Sequence, residues 1–325
     1  MLSVLFATRN GAPTLPGVLE TYCKLEPPSG GWKLIIVDNG STDRTKEINL
    51  SFRDRLPLTY LYESRSGKNT ALNTGLPHIL GDLVVLTDDD AFARPDWLVQ
   101  MRQAADSQPS FAIFGGAIVP RWEIDPEEWI LKWVPLGPTF TITSPSWVEG
   151  PTIPHNVFGP NMAVRAQIFE AGYRFDGSIG PRDSSYPMGS ESEFVRRLAS
   201  NGFKIWHVQK AIVEHFIRKF QMEKSWVLKR AVRFGRGQYR LGRKSEPLGS
   251  GAWWGVPRYI FRQMGIQGVR MIKALIRHNE EQLFHARWEF NFLYGQVIEA
   301  RILYKEAQNR GVDIALQAGG PKAGF

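Results

Sequence analysis

The chain has 325 residues, of which 43% are hydrophobic and 22% charged, and its net charge is +8. That length fits one large domain with an appendage, or two domains, and the composition suits a buried core rather than a disordered chain. The single cysteine, Cys23, excludes an internal disulfide framework and any multi-cysteine zinc site, and favours a reducing compartment.

Taken from the N-terminus, the pattern predicts a short apolar strand over 2–8 and a helix over 15–25, behind Pro13. A second strand follows over 34–38, with Ser41-Thr42-Asp43 supplying helix N-cap chemistry for the segment after it. The third strand is 58–62, followed by a helix from about Gly67 to Leu80. Residues 83–87 are a fourth strand, apolar throughout up to Thr87 as a buried parallel strand should be. Pro95 opens a further helix that reaches about Ser107. This alternation predicts an α/β fold: a Rossmann-like, mostly parallel sheet with helices on both faces. Ligands bind such sheets at the carboxyl ends of the strands, and polar residues gather there: Thr8-Arg9-Asn10, Asp38-Asn39-Gly40-Ser41-Thr42, Glu63 and Asp88-Asp89-Asp90.

Between about 111 and 189 the pattern loosens into Gly, Pro and Trp, which fits a few strands and long loops. A helix over 190–200 ends at Asn201-Gly202, a C-terminal stop signal, and 203–207 and 211–213 read as two short strands. Beyond His215 the character changes to long basic helices, about 222–241, 257–277 and 280–308. Gly249-Ser250-Gly251 is a hinge candidate, and disorder is expected from about 318. The expected organisation is a domain over 1–220 and a basic helical C-terminal region over 221–325.

Three adjacent carboxylates at Asp88–Asp90 repel one another, so the cluster calls for a compensating cation or an array of donors. Alternate carboxylates on extended backbone can share a ribose hydroxyl and a divalent ion that bridges phosphate oxygens. The same residues also suit a solvated turn before the Pro95 helix. An EF-hand is excluded, because its Gly and its final Glu are missing. Asp38 can accept a hydrogen bond from a nucleobase imide, or serve the turn that Asp-Asn-Gly-Ser favours. Lys68, at a helix start, can approach phosphate, although no Walker A loop surrounds it.

Five segments then occur in order: Thr8-Arg9-Asn10, 35–43, 67–73, 81–90 and Pro95-Asp96-Trp97-Leu98. They continue through Gly159-Pro160-Asn161, Phe175-Asp176, 189–194, Arg197-Leu198 and Val213-Glu214-His215. The ordered set resembles the family 2 glycosyltransferases of GT-A fold over about residues 1–220. The resemblance implies a metal-assisted, inverting transfer of one sugar from a nucleotide-diphosphate sugar, with a UDP-sugar favoured, to an acceptor hydroxyl in polysaccharide or glycolipid assembly. It makes Thr8, Asn10 and Asp38 base contacts, places Lys68 in the donor pocket, and gives Asp88 the ribose-side role. Asp90 becomes a ligand of Mn²⁺ or Mg²⁺, a role that Asp89 can also take because a run of three leaves the register open. Aligning on Glu193-Phe194-x-x-Arg197-Leu198 puts Glu191 where the family has its general-base Asp, one methylene longer, and Ser190 where it has a Glu. Glu193 and Asp183 are next in line as bases, and a first-turn helix residue is the alternative role for Glu191. His215 matches a family His that can complete the metal site, and otherwise is structural.

The Gln-x-x-Arg-Trp motif of processive synthases is absent, so a non-processive enzyme acting on a glycan or lipid-linked acceptor is expected. Trp122, Trp129, Trp133 and Trp147 are candidates for sugar stacking, for packing or for a membrane-facing rim. No apolar stretch reaches about 18 residues, so no spanning helix is expected, and the short apolar start does not fit a signal peptide. Residues 218–278 carry 15 Lys/Arg against two acids, which leaves the rest of the chain at −5 against the total of +8. Basic helices interleaved with aromatics suit an anionic membrane surface, or a solvated bundle. The location expected is cytoplasmic, peripheral on the cytoplasmic face of the membrane. A nucleic-acid partner is not expected, because Asp88–Asp90 would repel phosphates without a metal. The rival readings are a catalytically inactive glycosyltransferase-like scaffold and a metal-dependent nucleotidyltransferase.

Overall fold

The computed structural model describes residues 1–181, 186–243 and 252–309. The expected hinge at 249–251, the tail from 318 and Asp183 lie outside the described residues. The chain divides into two compact units, one of residues 1–125, 136–181 and 190–219, the other of the described residues in 126–135, 186–189 and 220–309.

The first unit begins as an alternating α/β pattern: β1 (Leu2–Thr8), α1 (Leu15–Tyr22), β2 (Trp32–Asp38), α2 (Thr45–Ser51), β3 (Leu58–Tyr62), α3 (Lys68–Gly75) and β4 (Leu83–Leu86). These strands lie parallel in the order β3-β2-β1-β4. Successive residues of β1 show why both faces are covered. Leu5 packs with Ala71 and Leu72 of α3, while Phe6 meets Tyr22 of α1 edge-on. The four residues of β4 are all buried, which explains their unbroken apolar run.

Then follow β5 (Ala91–Ala93), α4 (Trp97–Ser107), β6 (Ile113–Trp122), α5 (Glu128–Trp133, in the second unit), α6 (Leu136–Phe140), β7 (Gly150–Thr152), β8 (Met162–Arg165), α7 (Ala166–Glu170), α8 (Ser190–Ser200) and β9 (Ile205–Ile217). They extend the sheet beyond β4 as β8-β6-β9-β5, with β7 also on β9. β8 is antiparallel to both β4 and β6, and β5 and β7 are antiparallel to β9. The sheet is thus mixed beyond its parallel first half. The two short strands expected over 203–207 and 211–213 are one strand, β9. Its register shifts opposite Gly116/Ala117, where Val208 and Ile212 face consecutive residues. The intervening Gln209 and Lys210 are exposed, so the bulge interrupts the apolar pattern without ending the strand.

Helix α8 sets the position of its first turn through Phe194, Val195 and Leu198, which are wholly buried. Phe194 stacks on Phe169 with centroids 5.6 Å apart. The helix stops where expected: Gly202 has φ 86°, and the Phe203 amide donates back to the Leu198 carbonyl.

The second unit holds α5, α9 (Lys224–Arg243), the hairpin β10 (Ala252–Trp253)–β11 (Val256–Pro257), α10 (Arg258–Ile276) and α11 (Glu280–Asn309). Glycines allow close approach of α9 and α11: a Cβ on Gly235 would overlap the Phe292 carbonyl, and one on Gly295 the Val232 carbonyl. Glu299, fully buried on α11, pairs with Arg236 at 2.9 Å and Arg240 at 2.5 Å on α9. Asn279 caps α11 by accepting from the Gln282 amide. Among the described residues no helix is long and apolar enough to cross a membrane.

Candidate active site

Parallel register brings the ends of the first strands to one edge, since Thr8 of β1 lies beside Asp38 of β2, and Asp38 beside Tyr62 of β3. Asp38 is 2% exposed; its carboxylate accepts from the Ser41 amide at 2.9 Å and the Tyr60 hydroxyl at 2.8 Å. It therefore carries the turn chemistry that Asp-Asn-Gly-Ser favours. Asn10, in the left-handed region at φ 54°, accepts from the Thr42 amide. Asn39 ties the same edge together: its amide donates to the carbonyls of Glu63 and Arg65, and its oxygen accepts from the Gly67 amide. That clamp fixes the turn leading into Lys68.

The three aspartates face different partners. Asp88 pairs with Lys68 at 2.5 Å. Asp89 accepts from the Thr8 hydroxyl at 2.5 Å. Asp90, beside β9 because Ala91 pairs with His215, lies 3.5 Å from His215 Nε2 and 3.6 Å from Arg218. Burial and the neighbouring Asp90 push the Asp89 carboxyl up to about 7, against the pull of Thr8. Burial likewise raises Asp88, with Lys68 opposing. Burial works against the Asp90 carboxylate too, but His215 and Arg218 outweigh it and hold it below the usual range.

Glu191, on the first turn of α8, lies 2.5 Å from Lys68 and accepts from the Ser190 hydroxyl at 2.6 Å. Lys68 thus bridges Glu191 and Asp88. Burial opposes both charges, yet the pairing lowers Glu191 and raises Lys68. The turn at Gly159 closes over Glu191, since a Cβ there would clash with its carboxyl. Asn161 anchors that turn: wholly buried, it accepts from Trp97 Nε1 and donates to the carbonyls of Ala117 and Ala211. Glu193, the second-choice base, is 1% exposed and held by Arg197 at 3.1 Å.

His215 Nδ1 is 2.6 Å from the Phe140 carbonyl. Nδ1 donates to that carbonyl; burial disfavours a second proton on the ring, but Asp90 outweighs it and raises His215 above its usual value, so Nε2 would ligate a metal only from the neutral ring. Among the described residues no group of three or more His, Cys, Asp and Glu is placed to hold a metal alone. Asp90 and His215 are the neighbouring pair that could contribute to holding a divalent ion. The tryptophans separate. Trp122 packs edge-on against Phe140, and Trp129 and Trp133 pack on Phe284 in the second unit, with Lys224 over both rings. Trp147 stacks on Phe158, the residue before Gly159. Arg218 is a site residue that sequence reasoning counted only as the first charge of the basic tail.

The fold is that of the GT-A glycosyltransferases. Residues 3–172 match the family described as Glycosyl transferase family 2, and the chain belongs to that family. A glucosyl-dolichyl phosphate glucuronosyltransferase of Haloferax volcanii is 24% identical over 228 residues, 67% of this chain and 68% of that protein. A Pyrobaculum calidifontis mannosyltransferase, solved with GDP-Man and Mn²⁺, shares the fold at TM-score 0.54 and 19% identity, covering 97% of this chain and 80% of its own. Residues 1–349 of S. aureus TarS, solved with UDP-GlcNAc, align at TM-score 0.52 and 15% identity, covering 95% and 91%.

Proposed function

We propose that the chain transfers a single sugar, with inversion, from a nucleotide-diphosphate sugar to a hydroxyl of a glycan or lipid-linked acceptor, a UDP-sugar being the favoured donor. The transferase domain in this reading is 1–220, with 221–325 as an accessory region. The observation that carries it is the grouping of Lys68, Asp88, Asp90, Glu191 and His215 about one strand-end edge. The lipid-linked acceptor is suggested by the name of the Haloferax relative, which works on a glucosyl-dolichyl phosphate.

In this mechanism Thr8, Asn10 and Asp38 hold the base side and Asp88 the ribose. Asp90 and His215 would hold Mn²⁺ or Mg²⁺, which when bound would offset charge on the leaving diphosphate. Lys68 moves from Glu191 onto the diphosphate when donor binds, releasing the carboxylate. Glu191 then takes the proton of the acceptor hydroxyl as its oxygen bonds to the anomeric carbon. The bond from that carbon to the diphosphate oxygen breaks, and its electron pair leaves with the nucleotide diphosphate. One displacement inverts the anomeric centre.

The enzyme would work attached peripherally to the cytoplasmic membrane face. Product NMR after incubation with a panel of nucleotide sugars and short acceptor lipids tests the assignment. An inverted anomeric centre is expected. Retention, or no donor-dependent transfer with any nucleotide sugar, overturns it.

A further inference from the structure

The 15 basic residues of 218–278 are not equivalent. On α9, Arg236 and Arg240 turn inward to the buried Glu299, and Lys224 lies over Trp129 and Trp133. These charges are used internally. Helix α10 is different. Its buried face is Ile260, Gln267 and Ala274, and Ile260 clusters with Leu293 and Ala300 of α11. The opposite face carries Ile266, Val269, Ile272 and Ile276, with Val269 52%, Ile272 59% and Ile276 73% exposed. Arg262, Ile266, Val269, Lys273 and Ile276 follow one another at three- and four-residue steps, which makes a single stripe along the helix. No acidic residue occurs from Arg258 to Arg277.

The hairpin before α10 supplies an independent observation. Its two turn residues, Trp254 and Gly255, both have positive φ, 50° and 79°. Such a turn favours Asn-Gly, and a bulky aromatic in the left-handed region is uncommon. Trp254 nevertheless occupies it and is 77% exposed. Trp253 beside it packs on Phe261 of α10, with Arg258 over its ring.

We infer that the α10 outer face and the Trp253-Trp254 tip form a surface that lies in the interface of an anionic lipid bilayer. The occupant follows from the chemistry. Aliphatic and cationic side chains share one stripe, so the aliphatic groups reach the acyl boundary while Arg and Lys extend to lipid phosphates. A tryptophan at the tip belongs at the headgroup level, where its ring is solvated on one side only. An acidic protein partner would match the cations but leave the four aliphatic residues without a reason for exposure. The inference rests on the reading of the chain as a membrane-attached enzyme and assigns that attachment to named residues.

The test uses the full chain with phosphatidylcholine vesicles, with and without phosphatidylglycerol. Co-sedimentation is expected only with the anionic vesicles and should weaken as salt rises, because the attraction is screened. The V269E/I272E/I276E variant is expected to lose binding by at least about tenfold, and R262E/K273E to lose the preference for anionic lipid. These side chains are exposed, so far-UV circular dichroism and transfer to a water-soluble acceptor should be unchanged. Undiminished vesicle binding by both variants overturns the assignment, as does absence of wild-type binding at low salt. A solution dimer dispersed by V269E/I272E/I276E would also overturn it, giving the face to a second copy. Failure of transfer to the soluble acceptor in the wild-type chain would instead sink the catalytic reading and leave the vesicle result standing.

Discussion

Lys68 sits 2.5 Å from both Asp88 and Glu191, so a change at Glu191 leaves the lysine a partner and the pocket its shape. Glu191→Gln is accordingly expected to keep or tighten nucleotide-diphosphate affinity while lowering turnover by about 10²–10⁴-fold, the usual worth of a general base. Calorimetry and single-turnover transfer measured side by side check this; near-normal turnover would move the proton acceptor elsewhere. A second residue-scale expectation concerns Glu63, which is 7% exposed. Its pairing with Arg65 and a hydrogen bond from Thr74 hold its carboxyl down from 4.5 to about 2. A depressed folded-state value stabilises the protein above the unfolded value, and that stability is lost as pH falls from about 4.5 towards 2. The full shift is worth roughly 2–3 kcal/mol once screening at the exposed Arg65 is allowed for. Glu63→Gln should flatten this loss, measured by urea unfolding across pH 3–5; equal pH slopes in the two proteins would refute it. The residues at strand ends were legible because parallel strands deliver their ends to one edge. Arg218 was not, because nothing local says that β9 continues to Ile217 and carries the next residue beside Asp90. Asn39 and Asn161 stood in the strand-end cluster and in a matched segment, but their roles were not legible, since their work is done by hydrogen bonds to carbonyls distant in sequence.

At the scale of elements, the pairing of α9 with α11 depends on small residues and one buried charge. Gly235→Ala would push a methyl into the Phe292 carbonyl, and because backbone cannot yield as a side-chain tip does, a loss of about 1–3 kcal/mol is expected. Glu299→Gln removes the negative partner of two arginines, Arg236 being only 7% exposed. Removing one side of a buried pair typically costs about 3–5 kcal/mol, so this variant should fall further in urea midpoint than Gly235→Ala. A midpoint equal to wild type for Glu299→Gln would show the pair to be idle. The long helices were readable to within a few residues, because caps such as Asn279 and stops such as Gly202 act locally. β9 was misread as two pieces for the opposite reason: strand continuity across a bulge is decided by the neighbour β6, and its alternation is broken by Gln209 and Lys210. The mixed second half of the sheet was hidden likewise, since β5, β7 and β8 are three or four residues long and find their places only by pairing.

Across the whole molecule, charge and site are separated along the chain. The positive excess lies in 218–278, and the remaining residues, which include the strand-end cluster up to His215, carry −5. The site itself sets four carboxylates, Asp88, Asp89, Asp90 and Glu191, against Lys68, His215 and Arg218, with Asp89 pushed up to about 7. A nucleotide diphosphate entering that cluster brings further negative charge into a partly buried place, where like charges repel more strongly than in water. Lys68 alone cannot serve the diphosphate and both of its present partners. A divalent cation held by Asp90 and His215 would offset that charge, so nucleotide binding should be tightly coupled to metal. In a thermal-shift series, UDP with Mn²⁺ or Mg²⁺ at a hundredfold excess over Kd should stabilise the native state by about 2.7 kcal/mol, seen as a rise of several degrees in Tm. EDTA should abolish that rise, and Asp90→Asn should reduce it sharply even with metal present. A shift of the same size in EDTA would mean that the acidic cluster tolerates the diphosphate unaided, and the metal assignment of Asp90 and His215 would fall with it.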